Sequence, residues 1–310
     1  MIVKAKRSGL TVVEILVVVA IISLLVGMLL PAVSKVKNMA KEAKQKVQFT
    51  AIGIGLATFK NDYGDYPPSD DNTWSEDAVE IENSSGAQKL AEALLGWDLL
   101  GFHPDSGWRA DGRNRWSYSV DGNTHAAGSY FLYDRASDSD MEKRKGRYID
   151  IDTANAVRLG ITANYDGLFD LGTIGSPLAS AAETFVLGDV FGKGKEVLLD
   201  GVRHKSGLPI LYYRADASGK QSREVYSYSD NDNLVFTKNE TDNRTKGTSV
   251  SGGPWNPMAG AADVFYNGIR DPRASTTDFD VPHKPDTYIL ISAGIDGLYG
   301  TADDITNFQR

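Results

Sequence analysis

Three aspartates near the C-terminus, Asp296, Asp303 and Asp304, stand in a segment punctuated by Gly294, Gly297 and Gly300. Carboxylates at that spacing supply charge, and the glycines let the backbone fold its carbonyls inward, a combination that suits calcium with its roughly six to eight oxygen ligands. The spacing is not that of an EF-hand, and a tight acidic loop without metal is the competing reading. A second chemically conspicuous residue is Glu14, the only charge between Thr11 and Leu30. A carboxylate inside an apolar run of bilayer length costs about 2.5–3.5 kcal/mol at the centre and less near the interface, so it calls for a partner or a purpose. Catalytic constellations are absent from the sequence. His103, His125, His204 and His283 are scattered, with no His-Glu-x-x-His and no Gly-x-Ser-x-Gly, and Gly188 to Lys193 is too short for a phosphate-binding loop. Without cysteine there are no disulfides, zinc thiolates or thiol nucleophiles. The expectation is a protein that is not an enzyme.

The elements that must position these residues begin with the apolar run itself. Leu10 to Leu30 spans roughly 31 Å as a helix, about one bilayer core. Lys4, Lys6 and Arg7 precede it and should stay on the cytoplasmic side, which places the remainder outside. A secretory signal cut after Ala32-Val33-Ser34 is the competing reading, but such a peptide needs neither Glu14 nor a helical continuation. Pro31 removes a backbone donor and crowds the carbonyl at Gly27, so a kink is expected there. Beyond it, Val33, Val36, Ala40, Ala43, Val47, Ala51 and Ile54 recur at helical spacing, widened by Ile52, Leu56 and Phe59. Lys35, Lys37, Lys41, Lys44 and Lys46 read as a solvated face, and the breakers from Asn61 to Pro68 predict the helix end near Asn61.

The stretch Lys6-Arg7-Ser8-Gly9-Leu10-Thr11-Val12-Val13-Glu14 resembles the processing signal of type IV pilins and type II secretion pseudopilins. The resemblance implies cleavage between Gly9 and Leu10 by a prepilin peptidase, N-methylation of Leu10, and Glu14 as the fifth mature residue, acting in assembly. Leu10 departs from the family's usual phenylalanine. In an array of parallel helices, Glu14 of one subunit could meet the new Leu10 amine of the next. The segment Phe59 to Pro67 is similar to the end of the pseudopilin helix, and Leu290 to Ile305 resembles the C-terminal calcium loop of the major pseudopilin, with Asp296, Asp303 and Asp304 matching its aspartates. The implied partners are the prepilin peptidase, other pilin or pseudopilin subunits, the inner membrane and the secretion machinery.

Residues 1–9 are thus read as a leader, 10–60 as a transmembrane and assembly helix, and 61–310 as one enlarged periplasmic domain. Ser84 or Ser85 can cap a helix running to Leu100, and residues 68–84 form an acidic loop. Strands are predicted at Arg147–Ile151, Thr184–Asp189, Pro209–Arg214 and Thr287–Ser292. Ser218–Gly253 reads as a decorated loop, and Met141–Arg147 as a charged run serving solubility. The fold class is α+β, a long membrane helix packed on an antiparallel or mixed sheet with long insertions. A net charge of −8 disfavours nucleic acid. The expected function is a structural subunit of a secretion pseudopilus or related filament at the bacterial inner membrane. The alternative is a membrane-tethered protein that binds polysaccharide or an exported protein.

Overall fold

The computed structural model describes residues 11–69, 84–113, 118–120, 123–125, 129, 131–133, 136–161, 166–169, 183–194, 196–199, 202–235 and 256–308. Two compact units divide the chain, residues 1–43 and 44–310. Helix α1, Val12–Tyr63, runs without interruption through Pro31. In the first unit its apolar side chains, from Val12 through Leu30, are all exposed, around the whole circumference of the helix. A helix apolar on every side has no aqueous face, so this one is long and apolar enough to span a membrane.

In the second unit the buried stripe of α1 is Gln45, Gln48, Phe49, Ile52, Leu56 and Phe59. The predicted stripe through Val47 and Ile54 is corrected: both are more than 60% exposed. Two glutamines take core positions because their amides are used. Gln48 Nε2 donates to the carbonyls of Thr153, Ala154 and Gly188 at 2.9–3.2 Å, while Gln45 Oε1 accepts from the Val190 N–H at 3.0 Å. A stripe drawn through apolar and small residues omits these glutamines, whose buried amides are hydrogen-bonded.

Helix α2, Gly86–Leu95, is buried along its length. Ser85 caps it in a reciprocal box with Gln88, which satisfies two amide groups that a helix start leaves open. It ends at Gly96 rather than reaching Leu100, because the chain turns there with φ 85° and a Cβ would lie 2.1 Å from the Gly101 carbonyl oxygen. Short helices follow: α3 (Asp138–Lys143), α4 (Ile151–Ala154), α5 (Ser222–Val225) and α6 (Ala262–Ile269).

The named strands pair antiparallel: β1 (Tyr118–Val120) with β2 (Asn123–His125), β3 (Ala156–Arg158) with β4 (Phe185–Leu187), and β5 (Glu196–Leu199) with β6 (Val202–Lys205). A three-stranded sheet runs β7-β8-β9, from Leu211–Arg214, Tyr288–Ser292 and Ile305–Thr306. The predicted strands at Thr184–Asp189, Pro209–Arg214 and Thr287–Ser292 contain β4, β7 and β8. Arg147–Ile151 is not a strand: the Asp150 carboxylate accepts from the Asp152 N–H and starts α4 instead. Leu90 and Leu94 of α2 share a core with Phe49, Ile52 and Leu56 of α1 and with Tyr212 and Leu290 of β7 and β8.

Two loop assignments are also corrected. Residues 218–235 carry α5 and a 3₁₀ turn at Tyr228–Asn231, and they bury Val225, Tyr226, Leu234 and Val235 in the core. The Met141–Arg147 run does more than solubilise, since the Arg144 side chain is 2% exposed against a fully buried Asp98 carboxylate. Residues 236–253 and most of the acidic loop, 70–83, lie outside the described residues.

Candidate functional site

Two places carry the candidate residues, the start of α1 and the turn between β8 and β9. Gly9 and Leu10, the expected processing site, lie outside the described residues. At the helix start, Thr11 directs both its N–H and its hydroxyl to Glu14 Oε2, each at 2.8 Å, and the Glu14 N–H returns a bond to Thr11 Oγ1 at 3.3 Å. This is a capping box. The Thr-x-x-Glu spacing was legible in the sequence and states a local role for Glu14 that the charge argument passed over. Oε1 of the same carboxylate receives no donor from the described residues, so a second partner can still be accommodated.

After β8 the chain passes through Gly294, Gly297 and Gly300, all left-handed with φ between 65° and 88°. At Gly294 a Cβ would lie 2.2 Å from the Asp303 carbonyl oxygen, so only glycine lets the two limbs of the turn close. Asp303 sits at the centre of the turn. Its Oδ2 accepts from the Ile295 and Asp296 N–H groups at 2.7 and 2.9 Å, and its Oδ1 from the Thr301 hydroxyl at 2.7 Å. Burial alone would raise its carboxyl, but these hydrogen bonds outweigh burial and hold it below the usual aspartate range. Asp296 faces it and is pushed the other way, by burial first and also by the charge of Asp303. Asp304 turns its Oδ2 to the Gly300 N–H at 2.9 Å.

The structure therefore brings Asp296 and Asp303 together and uses Asp304 to hold the far limb of the turn. Among the described residues no group of three or more His, Asp or Glu side chains gathers at metal-binding distance.

Sequence reasoning missed a buried polar cluster beside α2. The Glu92 carboxylate accepts from Ser106 Oγ at 2.5 Å, the Ala110 N–H at 2.9 Å and the Tyr133 hydroxyl at 3.2 Å. Around it, Leu99, Trp108 and Ala110 adopt left-handed backbone with φ of 58–66°, a costly conformation for residues with a side chain. His103 is buried and stacked on Tyr133 at 4.1 Å. Burial holds this imidazole below the usual histidine range against the opposing charges of Asp105 and Asp140.

Burial raises Glu92 from 4.5 to about 6, more than its three hydrogen bonds lower it. Between those values the folded chain holds a proton that the unfolded chain has released. Stability is therefore greatest below pH 4.5 and falls as pH rises to about 6, by about 2 kcal/mol for this group. Glu92→Gln is expected to remove that slope in urea unfolding followed from pH 4 to 7; an unchanged slope would assign it to other groups.

Comparison with family models, with curated proteins and with solved structures finds no match to this chain.

Proposed function

We propose that this chain is a structural subunit of a type II secretion pseudopilus or a related type IV-like filament. In this reading a prepilin peptidase cuts between Gly9 and Leu10 and Leu10 is N-methylated. Helix α1 first holds the subunit in the inner membrane and then packs against its counterparts, with the domain on the periplasmic side. The observation that carries the reading is the segment of α1 from Val12 to Leu30. Its residues are apolar on every side and exposed, and its one charge sits at the helix start beside the processing signal. Such a helix is stable in lipid or in a bundle of like helices, and Glu14 is the residue a discarded signal peptide would not require. The packing of the second half of α1 on an antiparallel sheet, with α2 alongside, agrees with a pilin-like arrangement.

Edman sequencing of the membrane-bound protein, made in a cell with prepilin peptidase, is expected to begin with a modified Leu10 followed by Thr11. A start at Met1, or beyond Ser34, would reject the reading.

Calcium belongs to the same proposal. Asp296 and Asp303 would hold the ion, with backbone carbonyls of the turn, while Asp304 anchors Gly300. Bound calcium would neutralise the paired carboxylates and brace the turn that joins β8 to β9. At a hundredfold excess over its dissociation constant a ligand adds about 2.7 kcal/mol, which for a domain of this size raises the melting temperature by roughly 5–10 °C. Asp303→Asn is expected to abolish that rise in calorimetry, and a melting curve indifferent to calcium and chelator would remove the site.

A further inference from the structure

An open cavity of about 820 Å³ lies within the second unit, between α1 and the C-terminal strand β9. Its helical wall is Lys46, Phe49, Thr50 and Gly53, one face of α1 at spacings of three and four. The opposite wall is the chain from Ala302 to Phe308, and Lys284 and Tyr288 close the end. A cavity of this size, lined by polar and apolar groups in similar measure, is of ligand-binding dimensions.

Three observations define what would occupy it. The first is charge. Lys46 is exposed, and no carboxylate approaches either lysine among the described residues. Lys284 is also exposed, in left-handed backbone, φ 52°, with its carbonyl accepting from the Tyr226 hydroxyl at 2.6 Å. Packing along its side chain partly desolvates the ammonium and lowers it below the usual lysine range. The one carboxylate on the wall, Asp304, is buried and bonded to the Gly300 N–H. The second is the aromatic surface: Phe49 and Tyr288 line the cavity, and the Lys284 ammonium lies 5.6 Å from the Tyr288 ring centroid.

The third is the open edge of the sheet. Among the described residues β9 is the outer strand of its sheet and pairs with β8 alone. The Asn307 N–H donates to the Leu290 carbonyl, so by the alternation of an antiparallel ladder residues 305 and 307 turn their main-chain groups to β8. Thr306 turns its N–H and C=O away from the sheet, toward the open side. A small free anion would use the lysines but leave that edge unpaired, whereas an extended chain can use both.

We propose that the cleft between α1 and β9 binds an extended, acidic peptide segment of a partner protein. The segment adds to the free edge at Thr306, with its carboxylates on Lys46 and Lys284 and an intervening apolar side chain against Phe49 and Tyr288. Main-chain pairing supplies affinity and the alternate side chains supply selectivity. The inference does not rest on the filament reading, since an unassembled chain would show it.

The test uses the full chain purified in detergent and a fluorescein-labelled Glu-Val-Glu-Val-Glu peptide, followed by fluorescence anisotropy. Saturable micromolar binding is expected. It should weaken by about tenfold or more in Lys46→Glu/Lys284→Glu, and similarly when the central peptide amides are N-methylated. Lys46→Glu alone, at an exposed helix position, should weaken binding without loss of the far-ultraviolet helical signal, which separates a binding defect from a folding one. The proposal is overturned if the peptide fails to bind up to about 1 mM, a weak limit of about 4 kcal/mol. It is equally overturned if Lys-Val-Lys-Val-Lys binds as well, or if N-methylation has no effect and free glutarate competes as strongly as unlabelled peptide, which would mark a small-carboxylate site.

Discussion

Subunits carrying Glu14→Ala are expected to insert in the membrane and be cleaved before Leu10, yet to be depleted from filaments by at least about tenfold in a strain making the assembly machinery. Two roles for Glu14 have to be separated. The capping box with Thr11 contributes about 1 kcal/mol to the helix start, an effect that any residue completing the box retains. The charge itself matters only when a cation from another subunit meets it, where desolvation makes an unpaired carboxylate costly. Glu14→Gln keeps the box geometry and removes the charge. It is therefore expected to fail in assembly nearly as completely as Glu14→Ala, while Thr11→Ala, which weakens the cap and keeps the charge, should assemble at a substantial fraction of the parent level. Filaments sheared from cells and quantified by immunoblot give the measurement. Equal assembly by Glu14→Gln and the parent would reduce Glu14 to a cap, and the inter-subunit pairing would have to be given up.

Arg144→Ala is expected to destabilise the second unit strongly. Arg144 Nη1 lies 2.6 Å from Asp98 Oδ1, with the two side chains 2% and 0% exposed, and the guanidinium lies 5.2 Å from the Tyr133 ring centroid. Removing the arginine leaves a carboxylate in the interior without its cation, a cost of about 3–5 kcal/mol, whereas removing both charges together is often close to neutral. For a domain of this size that loss lowers the melting temperature by about 10 °C. The double replacement Asp98→Leu/Arg144→Met is expected to recover most of it. Calorimetry on the three chains decides the matter, and a loss under about 1 kcal/mol in Arg144→Ala would mean that the pair is solvated.

Both predictions concern charges in apolar surroundings, and only one of the two was visible before the fold. Glu14 stands out because everything around it in the chain is apolar. Arg144 sits in a run of charged residues, Glu142 to Arg147, where nothing local distinguishes it from its neighbours. Its burial comes from Asp98 and Tyr133, which the chain brings to it from other segments. The same difference explains the α1 stripe. The breakers after Asn61 placed the helix end near its observed end at Tyr63, but periodicity could not assign Gln45 and Gln48 to the core, because their partners, the Val190 N–H and the carbonyls of Thr153, Ala154 and Gly188, are more than a hundred residues away.

Local features were therefore legible from the chain alone: the bilayer-length apolar helix, a serine cap at Ser84 or Ser85, the strands at β4, β7 and β8, and the glycine-punctuated turn that holds Asp296 and Asp303. Each depends on residues close together in sequence, whose conformational preferences and hydrogen bonds act within a few positions. The tertiary structure decided the rest: which face of α1 is buried, that Asp304 bonds to Gly300 while Asp303 centres the turn, that Glu92 is buried as a carboxyl, and that β9 leaves an open edge beside Lys46 and Lys284. Those outcomes depend on desolvation and on long-range pairing, and neither exists until distant parts of the chain are packed against one another.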